Sequence, residues 1–404
     1  MSMAGRDSCS VRLIRAPAQS PCPLLARNKT SIFQCAGAED IGRGVLPCLA
    51  WTLVKNRLRW YALVFSDHIE QAKEHNMDNH FASLIAQINM LEIFKARQVV
   101  ERELQKTYLT FYKRLSDELQ AQVYVKHENH LPTNSFKVRG AVNFMAHIPA
   151  EAEEHGIVVA TRGNHGLAVA WAAQAKGIFC NVVVPEHNNP ELNKTILAYG
   201  AQLIEHGADF YEAQDYAEEL AESAGYYYLR QGNEPHLING IATMGLEIIE
   251  ELPEVDVIVM PIGGGTGCAA IAKVIEGINP RVSLIGVQAE RMPSFYQSWQ
   301  KGEKVIVASA DTVADGLAAR SVFEVPYAML RNSIANVVLL SEEELQQGVR
   351  LALQYTQNLA EVAGAAALAA AFKLRRELAG KTVVVVMTGG NLSVDRLAQI
   401  IAPA

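Results

Sequence analysis

The 404-residue chain contains no uninterrupted apolar run approaching the roughly 18 residues that a membrane-spanning helix needs. The longest early apolar stretch, Trp51–Phe65, is broken by Lys55, Arg57 and Arg59. Positive charge is also scarce. Lys and Arg number 36 against 43 Asp and Glu, a net charge of −7, and no basic run stands out. Neither nucleic acid nor an anionic membrane surface is therefore expected as the main partner. Cysteine is limited to six residues with no C-x-x-C pair. Cys9, Cys22, Cys35 and Cys48 are evenly spaced, but their neighbours share no pattern, so neither a zinc site nor a disulfide framework is expected. That usage suits a reduced, cytoplasmic protein, and no metal site is expected. Low-complexity tracts and 20–50-residue repeats are absent too, which sets aside solenoids and arrays.

What is present divides unevenly. Residues 1–89 carry a net charge of +3, and the remainder carries −10. The first segment has no clear periodicity and is punctuated by Pro17, Pro21, Pro23 and Pro47. It reads as a poorly ordered or non-native extension, with Met90 as the working start; a targeting peptide in its first thirty residues is the competing reading. From Met90 the run MLEIFKARQVVERELQ has helical spacing and no breaker.

Downstream, short β-rich runs alternate with helical stretches. Strands are expected at Gln122–Lys126, Ile157–Thr161, Asn181–Val184, Val255–Met260, Val282–Val287 and Thr382–Met387. Helices are expected at Leu167–Lys176, Tyr211–Ser223, Ala269–Gly277, Glu342–Asn358 and Ala363–Leu378. Continuous apolar strands such as VVVVM are the pattern of sheets covered on both faces, so the fold class is α/β with mainly parallel sheets.

Four turns carry chemistry. The run Pro261-Ile262-Gly263-Gly264-Gly265-Thr266-Gly267 joins a strand to a helix, where backbone N–H groups and the helix dipole suit a phosphate. Gly265-x-Gly267-x-x-Ala270, with Glu290 after the next strand, also fits a dinucleotide fingerprint, so the identity of the phosphate stays open at this point. Thr161-Arg162-Gly163-Asn164-His165-Gly166 opens a helix; it is either a well-capped start or a carboxylate site. In Asn134-Ser135-Phe136-Lys137-Val138, a lysine lies between apolar neighbours, where burial would lower its pKa and favour Schiff-base chemistry, although a lone lysine is more often a solvated one. Met387-Thr388-Gly389-Gly390-Asn391 puts a hydroxyl after a buried strand; GGN also has ordinary turn chemistry.

Taken in order, KHENHLPTNSFKVRGA, ATRGNH, NGIATMGLEI, PIGGGTG, DTVADGLA, EVAGAAALAA and MTGGN resemble the threonine/serine dehydratase family of fold-type II pyridoxal-phosphate enzymes, over Leu91 to Ile401. The resemblance implies a tryptophan-synthase-β-like catalytic domain over 90–404. It would have two interleaved α/β subdomains, the smaller at roughly 140–240. It implies that Lys137 carries pyridoxal 5'-phosphate, Phe136 flanks its ring and Asn164 bonds its 3'-oxygen. Gly263, Gly264, Gly265, Thr266 and Gly267 would hold the phosphate, and Thr388 would meet the ring nitrogen. Gly316 and Glu361 would line the ring, while Ser135, Thr161, Asn164 and His165 would contact substrate. The activity implied is loss of water and ammonia from L-threonine, L-serine or a related hydroxy-amino acid, in a homodimer or higher homo-oligomer.

Departures from the pattern bear on substrate. Arg162 stands where serine racemases have a second serine, which disfavours racemisation, because an arginine is a poor acid/base partner. It also leaves open a hydroxyaspartate-type dehydratase. Val362 and Leu167-Ala168 replace a proline and a Gln-Gly pair. Gln288 replaces the metal glutamate of some relatives, and only 13 residues follow Asn391, so no regulatory domain is expected. From other classes, a nicotinamide-dependent oxidoreductase and a non-catalytic binding protein remain as alternatives.

Overall fold

The structure is a computed structural model that describes residues 79–308 and 311–402. Among the described residues ten strands form two sheets: β1 (Leu109–Phe111), β2 (Gln122–His127), β3 (Ile157–Ala160), β4 (Cys180–Val184), β5 (Gln202–Glu205), β6 (Tyr227–Tyr228), β7 (Val257–Pro261), β8 (Ser283–Ala289), β9 (Asn336–Leu340) and β10 (Thr382–Met387). The larger sheet has the order β1-β2-β10-β7-β8-β9 and is parallel except for β1. The smaller, β5-β4-β3-β6, is parallel throughout. The helices that frame the site are α1 (Met90–Glu103), α2 (Lys137–Ala146), α3 (Asn164–Lys176), α4 (Phe210–Ala224), α5 (Pro235–Glu251), α6 (Thr266–Ile278), α7 (Glu342–Thr356) and α8 (Val362–Lys373).

The run TVVVVM becomes β10, in the middle of the larger sheet between β2 and β7. Its alternate residues serve two cores. Val383, Val385 and Met387 pack with α8 and α7, whereas Val384 and Val386 pack with α5 and α6. In the smaller sheet Ile157 and Val159 face α3, and Val158 and Ala160 face Ala213, Ala217 and Ala221 of α4. Burial on both faces is what a parallel sheet requires, and it brings the carboxyl ends of β3, β7 and β10 to one cleft.

The domain boundary differs from expectation. Residues 79–86 are helical, with Phe81, Leu84 and Ile85 packed on the α5–α6 core. Ile88 is 1% exposed, the Asn89 side chain caps α1 by accepting from the Glu92 N–H at 3.1 Å, and the Gln87 carbonyl accepts from Asn239 Nδ2 at 3.0 Å. The compact catalytic part therefore begins before residue 90; residues 1–78 of the expected extension lie outside the described residues. Among the described residues no helix is long and apolar enough to cross a membrane.

Candidate active site

Lys137 is the first residue of α2, and its loop is tied to the turn after β10. Asn134 takes a left-handed conformation (φ 51°), Ser135 bridges Gly389, and the Phe136 N–H donates to the Thr388 carbonyl at 3.2 Å. Behind it lies a buried ion network. Arg139 pairs with Glu128 at 2.7 Å and Glu247 at 2.6 Å, and Lys126 reaches Glu247 at 2.6 Å. Two cations and two carboxylates inside the protein are tolerable only because their hydrogen bonds are matched. They fasten α2 to α5 at a crossing so close that a Cβ on Gly140 would lie 2.7 Å from the Leu237 carbonyl.

Burial lowers the Lys137 ammonium to about 8, while nearby Glu361 pulls it back upward. The amine lies 5.6 Å from the centre of the Phe136 ring. On the opposite wall, burial raises the Glu361 carboxyl to about 7; a hydrogen bond from Asn164 lowers it, the charge of Asp315 raises it and that of Lys137 lowers it. Asn164 Nδ2 donates to Glu361 Oε1 at 2.7 Å. The Asn164 Oδ1 accepts from Asn391 Nδ2 at 2.7 Å, and Asn391 also donates to the Thr133 carbonyl at 2.9 Å and accepts from Asn134 Nδ2 at 3.2 Å. Asn391 thus links the lysine loop, the Asn164 turn and the Thr388 turn.

The glycine loop keeps its backbone free. Among the described residues, none of the N–H groups of Gly263 to Gly267 has an acceptor in the protein. Gly265 has φ 94°, and a Cβ on Gly264 would overlap the Phe323 ring while one on Gly263 would overlap the Gly316 carbonyl. The glycines answer both to close neighbours and to an open row of donors. At the start of α3, Thr161 Oγ1 accepts from the N–H groups of Gly163 (2.9 Å) and Gly166 (3.2 Å), whereas those of Asn164 and His165 take no acceptor among the described residues. His165 is 4% exposed, its Nε2 has no partner, and burial together with the Lys137 charge brings its pKa down to about 3. Its imidazole is neutral at physiological pH.

The expected residues Phe136, Lys137, Thr161, Asn164, His165, Gly263 to Gly267, Gly316, Glu361 and Thr388 all line this cleft. Ser135 does not. It is fully buried, and its Oγ accepts from the Lys137 N–H at 3.4 Å. Glu290, the acid of the dinucleotide reading, is exposed at the end of β8 and outside the cleft. Gln288 spends its side-chain oxygen on the Tyr296 N–H at 2.8 Å. Sequence reasoning missed Asn391, Asp315 and Phe323. Asn391 closes the turn that carries Thr388 and Asp315 adjoins Gly316, so a role for each could have been found there; Phe323 has no sequence signal. Arg162 and Asp315 also line the cleft, with Arg162 Nη2 3.2 Å from Asp315 Oδ1.

The sequence model of the family described as "Pyridoxal-phosphate dependent enzyme" matches residues 100–389. An L-threonine ammonia-lyase of Thermotoga maritima is 35% identical over 314 residues, covering 78% of each chain. Among solved structures, the processed form of threonine deaminase isoform 2 from Solanum lycopersicum aligns with a TM-score of 0.74 at 28% identity, over 79% of this chain and 87% of that one. Maize serine racemase shares the fold at TM-score 0.73 and 24% identity, over 77% and 96%.

Proposed function

The chain belongs to the family of pyridoxal-phosphate-dependent enzymes, and on that premise we propose that it is an ammonia-lyase acting on a small hydroxy-amino acid such as L-threonine or L-serine. The observation that carries this reading is the convergence on one cleft of a lysine with a lowered pKa, an open row of backbone N–H groups and the side chains of Asn164, Glu361 and Thr388. These residues fit the cofactor. The N–H groups of Gly263 to Gly267 would hold its phosphate at the start of α6, Lys137 would carry it, and Asn164 and Thr388 would meet the ring. When bound, pyridoxal phosphate supplies an electron sink for charge developing at the substrate Cα.

The protein's own groups do the rest. The unaccepted N–H groups of Asn164 and His165 at the start of α3 would bind the substrate carboxylate. Lys137 Nζ, near 8, is poised to accept and return a proton at neutral to mildly basic pH. Thr388 offers a hydroxyl where a carboxylate would hold the ring nitrogen protonated. Glu361, near 7, can hold a proton inside the cleft. The balance is loss of the Cα proton and the Cβ hydroxyl as water, then hydrolysis of the released enamine through its imine, giving a 2-oxo acid and ammonia.

Racemisation is the weaker reading, because Arg162 is paired with Asp315 and stays charged. The free, buried Cys180 and Cys268 fit the cytoplasm, and a homo-oligomer is the assembly we favour. Incubating the holoenzyme with L-threonine or L-serine should release 2-oxo acid and ammonia in equal amounts. Absence of both products from L-threonine, L-serine and other hydroxy-amino acids, dicarboxylic ones included, with the cofactor bound, would contradict the proposal.

A further inference from the structure

Arg162 belongs to the same turn as the Asn164 and His165 N–H donors, and its side chain is 32% exposed in the cleft wall. Among the described residues its one charged partner is Asp315, reached through a single nitrogen at 3.2 Å. Asp315 opens the 3-10 turn Asp315–Leu317 that contains Gly316, on the wall shared with Glu361, and its side chain is 69% exposed. The pair therefore bridges the turn after β3 and the loop carrying Gly316. Arg320, a neighbouring arginine, differs: it pairs with Asp209, stacks over Tyr211 and donates to the Val307 carbonyl. Arg162 has none of that anchoring, and most of its five N–H donors are uncommitted.

We propose that Arg162 is a specificity residue that receives a second carboxylate, carried on Cβ of a dicarboxylic hydroxy-amino acid, with the exposed Asp315 as its resting counter-ion. The inference rests on the ammonia-lyase reading and narrows its substrate class. A substrate whose α-carboxylate sits on the Asn164 and His165 N–H groups places its Cβ substituent near the same turn, within reach of a long guanidinium side chain. Exchange of partners is cheap, because Asp315 regains full hydration when released. The gain is larger, because a guanidinium takes a carboxylate through two parallel N–H groups, whereas Asp315 is met through one nitrogen.

The test compares threo-3-hydroxyaspartate with L-threonine as substrates, and succinate with butyrate as non-reacting probes, on the holoenzyme. Wild type should bind succinate more tightly than butyrate by calorimetry. Arg162→Gln should lose that preference by about 10- to 100-fold, with the ratio of kcat/KM for the two substrates falling likewise. Arg162→Lys should keep part of both. A succinate preference that depends on Arg162 in a protein that releases no 2-oxo acid supports the inference and counts against the lyase reading. Equal losses for both substrates in Arg162→Gln, or a wild type with no succinate preference, would overturn it and leave the pair as a clasp between the two walls.

Discussion

At the residue scale two ionisable groups, Lys137 and Glu361, hold each other in check. Lys137 is lowered to about 8 by burial and supported by the charge of Glu361. Only the neutral amine attacks a carbonyl, so cofactor-free protein should capture pyridoxal phosphate faster as pH rises, with a midpoint near 8 in rapid-mixing absorbance. Glu361→Gln removes a negative charge that favours the ammonium, so the midpoint should move lower. A midpoint near 10 in wild type would contradict the burial argument. Asn391 acts through others: it fixes the Asn164 amide at 2.7 Å and reaches the lysine loop through Asn134 and Thr133. Asn391→Ala should weaken cofactor affinity by about tenfold, the worth of one or two lost hydrogen bonds, and shift the bound cofactor's absorption while circular dichroism stays as in wild type.

At the element scale the glycine loop and the helix crossing behind Lys137 set the tolerances. Gly264→Ala drives a methyl into the Phe323 ring and should cost about 1–3 kcal/mol, with loss of cofactor binding. Adding Phe323→Ala should restore part of the binding; a double variant no better than the single would show that the ring is not the obstacle. Arg139→Met leaves buried Glu128 without a cation and Glu247 with Lys126 alone, and should cost about 3–5 kcal/mol in denaturant titrations. The central strands and the glycine loop were legible because continuous Val runs and clustered glycines are local signals. The four strands left out, β1, β5, β6 and β9, are the edges of the two sheets. Two of them, β1 and β6, have at most three residues, and all lack full burial, so their side chains carry a weak pattern. The ion network was hidden for another reason: Arg139 and Glu247 are 108 positions apart and meet only when α2 crosses α5.

At the scale of the whole molecule, the cleft gathers residues from Phe136 to Asn391, so its shape depends on the packing that holds both walls. The segment 79–89 belongs to that packing. A chain begun at Met90 loses buried Ile88 and the Asn89 cap, and should be less stable than one begun at Met77 by about 3 kcal/mol or more, read as a lower denaturation midpoint. Equal midpoints would mean that the segment adds nothing. The attachment of the cofactor to Lys137 is the feature on which the chemistry of the cleft depends. Borohydride reduction of the holoenzyme followed by peptide mapping tests it most directly. The reduced cofactor is expected on the peptide containing Lys137, with no labelling of Lys137→Ala. Attachment to any other lysine, or labelling that persists in the variant, would contradict it.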